Sequence, residues 1–175
     1  WRARQAEIQR QLLPAMLGWF AGGPNPDHGL LAFRQVSEAL GKTSWYLRAL
    51  RDEGAMAENL ARVLASSRYA VDLLLRAPQS VQLLAETERI QPRTADEIAR
   101  EMRASARRHS EPDKAVGAIR AVRREELLRL AMGDLLGQID VDALGAGLSD
   151  VTSATIDAAL EVAARGVANV PPLAV

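Results

Sequence analysis

The chain has 175 residues, with 22 basic and 22 acidic side chains, no cysteine, and aromatic residues at only 4%. That length supports one domain or two small ones around a core that needs no staple. The lack of cysteine excludes disulfides, thiol nucleophiles and thiolate metal sites, so a reducing, cytoplasmic compartment is expected. Balanced charge removes the electrostatic footprint of a general nucleic-acid binder. No stretch reaches the roughly 18 apolar residues of a membrane span, and no apolar leader opens the chain.

Apolar residues recur at spacings of three and four along the whole chain, and no window alternates long enough to make a sheet. The fold class is therefore expected to be all-α, an irregular multi-helix bundle of about ten helices with no substantial sheet. Residues 2–20 read as a first helix. AGGPNP, residues 21–26, carries two glycines and two prolines in six positions and reads as a linker. Asp27 is the expected N-cap of a helix bearing Leu30, Phe33, Val36 and Leu40, with Gly41 at its C-cap.

Thr43 or Ser44 should cap a third helix reaching about Glu53 and Gly54, and a fourth carries Met56, Leu60, Val63 and Leu64 as one buried stripe. Ser66 and Ser67 interrupt it before a fifth helix to Arg76 and a short sixth over residues 79–85. Thr94 and Glu97 have the spacing of a capping box, opening a helix whose inner face is Ala95, Ile98, Ala99, Met102 and Ala106. The longest helix is expected from Asp113 to about Gln138, its wide apolar arc implying contact on two sides or a bend near Gly133. A short helix over 141–144 should precede a last one that starts at Ser149, buries Ile156, Ala159, Leu160 and Ala163, and ends at Gly166.

Groups that could carry chemistry are few. His28 and His109 are the only histidines; the first reads as a solvated first-turn residue and the second as a complement to a helix C-terminus. Asp140 and Asp142 have the spacing of a metal-bridging carboxylate pair, yet such pairs project from strands and here a helix start is expected, so they read as N-cap candidates. Gly145-Ala146-Gly147 lacks the strand, third glycine and lysine of a phosphate loop and reads as a hinge. Arg100, Arg103, Arg107 and Arg108, then Arg120, Arg123, Arg124 and Arg129, alternate with Glu97, Glu101, Glu125 and Glu126, the pattern of a solvated and internally paired face. No catalytic, cofactor-binding or metal-binding residue is expected.

Five segments carry a resemblance: LLPAMLGWF, PDHGLLAFRQVSEALG, the run from TSWYLRALRDEG to SSRYAVDLLLRAPQSVQLL, RREELLRLAMGDLL, and LSDVTSATIDAALEVA. Together they closely resemble the glutamine synthetase adenylyltransferases of bacteria, in their actinobacterial form, over nearly the whole chain; SSRYAVDLLLRAP is the most specific element. The resemblance implies an enzyme with two nucleotidyltransferase halves, one removing AMP from a tyrosine of glutamine synthetase by phosphorolysis and the other attaching it from ATP. ATP and magnesium would serve the parent enzyme, and glutamine synthetase, the PII signal protein and the flanking catalytic halves would be its partners.

The family's Gly-Ser and Asp-x-Asp motif is absent, and Asp140 and Asp142 do not match it. The resemblance thus implies a non-catalytic helical segment between the halves, with no cofactor of its own. Residues 1–20 would be the last helix of the preceding half or a linker, 21–26 the linker, 27–170 the helical domain, and 171–175 a cut-off lead-in to the next catalytic sheet. Both ends of the chain are expected to be cuts. The other reading is a stand-alone helical interaction module that binds through Leu73, Leu74 and the apolar arc from Leu127 to Ile139.

Overall fold

Eight α-helices and two short 3-10 helices account for the regular structure, and no strand occurs among the described residues. The computed structural model describes residues 2–40, 43–52 and 54–168. Gly41, Glu53 and residues 169–175 lie outside them. The chain forms two compact units, one of residues 1–91 with 131–140 and the other of residues 92–130 with 141–175.

The first unit begins with α1 (Arg2–Ala21), α2 (Pro26–Leu40), α3 (Ser44–Asp52), α4 (Gly54–Ser66) and α5 (Arg68–Arg76), followed by 3-10 turns over Pro78–Leu84 and Thr87–Arg89. α4 sits at its centre because both of its long sides are apolar: Met56, Ala57, Leu60, Ala61, Val63, Leu64 and Ala65 are all buried. It packs against α1, α2, α3, α5 and the first 3-10 turn. The segment 21–26 is held inside this unit. A Cβ on Gly23 would stand 2.7 Å from the Cβ of Ala65, and one on Gly29 would stand 2.8 Å from the Phe20 ring and 3.2 Å from the Ala65 backbone. Glycine at both places lets the α1–α2 turn close onto α4 and brings Phe20 to Phe33, ring centroids 6.3 Å apart.

Several helix boundaries differ from the sequence reading. α2 starts at Pro26, whose fixed φ and missing N–H suit the first helical position, so Asp27 lies in the first turn and not at the cap. The Thr43 hydroxyl donates back to the Leu40 carbonyl and closes the preceding helix. Ser67 does cap α5, accepting from the Ala70 N–H, and the short sixth helix is a 3-10 turn that opens on Pro78.

Tyr46 is the largest fully buried side chain of α3, and its phenol shares a 3.0 Å hydrogen bond with the Ser37 hydroxyl of α2. Burial pushes the phenol up to about 12, against the pull of the Ser37 hydrogen bond. A group with a raised folded-state pKa stabilises fully below its unfolded value, about 10, and loses that contribution as pH rises through its folded value. Urea unfolding between pH 9 and 12 should therefore show a steep loss of stability that Tyr46→Phe flattens.

The second unit contains α6 (Ala95–Ala106), α7 (Pro112–Leu135) as far as Leu130, and α8 (Val141–Ala168). The capping box at the start of α6 is complete: the Thr94 hydroxyl accepts from the Glu97 N–H, and the Glu97 carboxylate accepts from the Thr94 N–H. Those Thr94 bonds hold the Glu97 carboxyl below its usual range. Ile98, Ala99, Met102 and Ala106 are buried as expected, while Ala95 is half-buried.

α7 ends two residues before its glycine stop. Gly137 has φ +68°, Gly137 N–H donates to Asp134 O, and Gln138 N–H donates to Gly133 O, which is the Schellman arrangement. Gly133 has a different task. A Cβ there would meet the Ile139 side chain at 3.1 Å and the Ile90 carbonyl at 3.2 Å, so glycine permits a close approach within the first unit.

The largest departure is α8. It is one helix from Val141 to Ala168, longer than α7, and runs through Gly145, Gly147 and Ser149 without a break. Ser149 does not start a helix, because its hydroxyl donates to the Gly145 carbonyl four residues earlier. Thr152 and Thr155 do the same to Leu148 and Val151. The buried side is Val151, Ala154, Ala158 and Val162, small residues that let α8 lie close to α6. Ile156 and Leu160, expected inside, are 54% and 63% exposed.

Candidate functional site

Open clefts among the described residues of the first unit include two beside α1. The larger, about 650 Å³, lies between α1 and α2 and is lined by Arg10, Leu13, Asp27, Leu30, Leu31, Phe33 and Arg34. Its arginines already have partners: Arg10 pairs with Glu7 and Arg34 with Glu38, both on exposed helix faces. The smaller, about 330 Å³, is bordered by Trp19, Gly22, Pro24, Glu58, Arg62 and Ser66. His28, beside Asp27 in the first turn of α2, is partly buried rather than solvated, and its Nε2 is enclosed without a hydrogen-bond partner.

The second unit holds the densest cluster of charge. Arg93 Nη1 donates to Glu101 Oε2 at 2.6 Å and to Glu126 Oε1 at 2.8 Å, and Arg129 Nε stands 3.4 Å from Glu126 Oε2. Glu126 is 3% exposed, one of the few charged groups in the interior. Arg93 occupies the turn between Pro92 and the Thr94 cap, so the same local sequence that starts α6 aims a guanidinium at the side of α7. Periodicity does not show this: Glu126 reads as one member of a surface alternation, and Arg93 as a loop residue. Glu101 and Glu126 are thus tied to Arg93, Arg103 pairs with Glu161 of α8, and Arg100, Arg107, Arg108, Arg120 and Arg123 are exposed.

Beside this cluster the Glu125 carboxyl is pushed above its usual range, first by partial burial and then by the charges of Glu101 and Glu126. Its raised pKa favours the folded state only at pH values below the ordinary carboxyl range, and that contribution is lost as pH rises. Glu125→Gln should therefore stabilise the chain at pH 7 and lose that advantage below about pH 4, as measured by urea unfolding at the two pH values.

The remaining sequence candidates do not converge. His28 lies in the first unit and His109 in the second, where it follows the last turn of α6 and its N–H donates to the Ala106 carbonyl. Asp140 immediately precedes α8 and Asp142 lies in its first turn, the positions that favour negative charge at a helix N-terminus. Among the described residues no group of three His, Asp or Glu side chains could hold a metal ion. Gly145 and Gly147 are helix interior and not a hinge; a Cβ on Gly147 would stand 2.6 Å from Leu130 Cδ2, a packing reason for glycine.

Of the interaction surface expected at Leu73, Leu74 and the arc from Leu127 to Ile139, Leu73, Leu74, Leu128, Leu130, Met132 and Leu136 are buried, while Leu127, Leu135 and Ile139 are half-buried. No helix of the described residues is long and apolar enough to cross a membrane.

A profile of glutamate-ammonia ligase adenylyltransferases matches residues 57–171. The chain belongs to this family. It is 56% identical over 173 residues, 99% of its length, to a bifunctional glutamine synthetase adenylyltransferase/adenylyl-removing enzyme of Cutibacterium acnes. The enzyme of the same description from Streptomyces coelicolor is 48% identical over 93% of the chain, and that from Mycobacterium avium 42% over 96%. The chain spans 18%, 18% and 17% of the length of these three adenylyltransferases. No solved structure matches it.

Proposed function

We propose that this chain is a non-catalytic helical segment of a bifunctional glutamine synthetase adenylyltransferase, joining the two active halves of the enzyme and biasing the balance between them. The observation that carries the reading is the family match over residues 57–171 of a chain that spans less than a fifth of its relatives. The geometry supports it: Asp140 and Asp142 stand at a helix start, Arg93 and Arg129 pair with Glu101 and Glu126, and Gly147 serves packing.

In this reading the parent enzyme works in the cytoplasm. It transfers AMP from ATP, with magnesium, to a tyrosine of glutamine synthetase and removes it again, while glutamine and the PII protein set the direction. The helical segment couples to that control by packing differently against each half. The test uses the two flanking halves prepared without these 175 residues. Each should keep its own reaction, transfer or removal, and lose its response to glutamine and PII. Loss of both reactions by folded halves, restored on adding this chain, would place catalytic groups within it and overturn the proposal.

A further inference from the structure

α8 buries one side and carries large apolar residues on the other. Solvent-facing helix positions are normally polar, and single exposed leucines need no explanation. Here, however, Val141, Leu148, Ile156 and Leu160 are 76%, 42%, 54% and 63% exposed. At about 100° per residue, Leu148, Thr152, Ile156 and Leu160 climb the helix as one stripe, with Ile156 and Leu160 close to the pole opposite the buried Ala158. From Leu148 to Leu160 the stripe runs roughly 18 Å. Asp157 flanks Ile156 and Leu160 on one side, and Asp142 lies on that same side near the start of the helix. Arg165 is the sole basic residue of α8, and Glu161 is engaged by Arg103 and Arg165.

We propose that this stripe is the docking face for an amphipathic helix with Lys or Arg along one edge, supplied by the same polypeptide outside these 175 residues. Two observations fix the occupant. The Asp142 and Asp157 carboxylates select a cationic partner edge, and a second copy of α8 brings four carboxylates and one arginine instead. The source is intramolecular because relatives that match the chain nearly end to end are more than five times as long, 18% of their length being covered. This step rests on the reading of the chain as a segment of a larger enzyme, and it names the surface through which that segment meets the rest.

The chain has no cysteine, so a thiol introduced by Ile156→Cys is a clean probe of access, with Arg120→Cys on the exposed side of α7 as control. Maleimide labelling is measured in the 175-residue chain and in the complete enzyme freed of other cysteines, with helix content checked by circular dichroism. The expected result is labelling at position 156 at least tenfold slower in the complete enzyme, with no such change at position 120. Asp157→Lys in the complete enzyme should restore fast labelling. Equal rates at 156 in the two proteins would overturn the docking face. Slow, concentration-dependent labelling in the 175-residue chain would assign the stripe to a second copy and overturn it too, and indifference to Asp157→Lys would overturn the basic edge. Labelling needs no turnover, so it stands apart from the outcome of the AMP-transfer test.

Discussion

Leu60→Ala should lower the unfolding free energy of the first unit by about 3–4 kcal/mol. Leu60 is fully buried on the helix that packs against α1, α2, α3, α5 and the Pro78–Leu84 turn. Truncation there removes the transfer energy of three carbons and leaves a cavity that several elements would have to shift together to fill. Leu31, 53% exposed on α2, is the comparison: Leu31→Ala should change stability by no more than about 0.5 kcal/mol. Trp19 and Trp45 both lie in this unit, so tryptophan fluorescence during urea unfolding reports on it. The midpoint should fall for Leu60→Ala with little change in slope. Equal losses for the two variants would show that α4 is not the centre of the unit.

The second large effect is expected at Arg93. Removing one partner of a buried ion pair leaves an uncompensated charge and costs about 3–5 kcal/mol. Arg93 retains 29% exposure and Glu126 keeps Arg129 nearby, so the expected cost of Arg93→Met is nearer about 2 kcal/mol after solvent screening. Arg34, paired with Glu38 at 77% and 64% exposure, provides the contrast. Arg34→Met should cost less than about 0.5 kcal/mol. Replacing Arg93, Glu101, Glu126 and Arg129 together by apolar residues of similar volume should recover much of the loss, because both guanidiniums and both carboxylates of the cluster are then removed at once. Urea unfolding followed by helical circular dichroism distinguishes these cases; equal losses for Arg93→Met and Arg34→Met would mean that the Glu126 cluster is a surface pair like any other.

Local chemistry made much of this fold legible. The Ser66–Ser67 break, the Thr94–Glu97 box and the α4 stripe are written in neighbouring residues, and each forms where it is read. α8 was not legible for a reason visible in its composition. With alanine, glycine and β-branched residues on several faces, the largest apolar side chains suggest one inner face, while close packing selects the face with the smallest. Gly147, against Leu130 of α7, and Ala158 win the interior over Ile156 and Leu160 because neighbouring elements come close. The same competition explains Gly147, which looks like part of a break to local propensity and serves as contact surface against Leu130. Arg93 was hidden because its partners lie 8 and 33 residues away in sequence, beyond any local pattern. The family, by contrast, was readable from segments such as SSRYAVDLLLRAP without any knowledge of which faces are buried.

The most direct test of the central claim is ATP-dependent transfer of labelled AMP to glutamine synthetase, measured for the 175-residue chain alone and for the complete enzyme under identical conditions. Transfer by the complete enzyme and none by the 175-residue chain is the expected result, with the chain's helix content intact. Transfer by the chain alone would contradict the claim and send the search for catalytic groups back to Asp140, Asp142 and the clefts of the first unit.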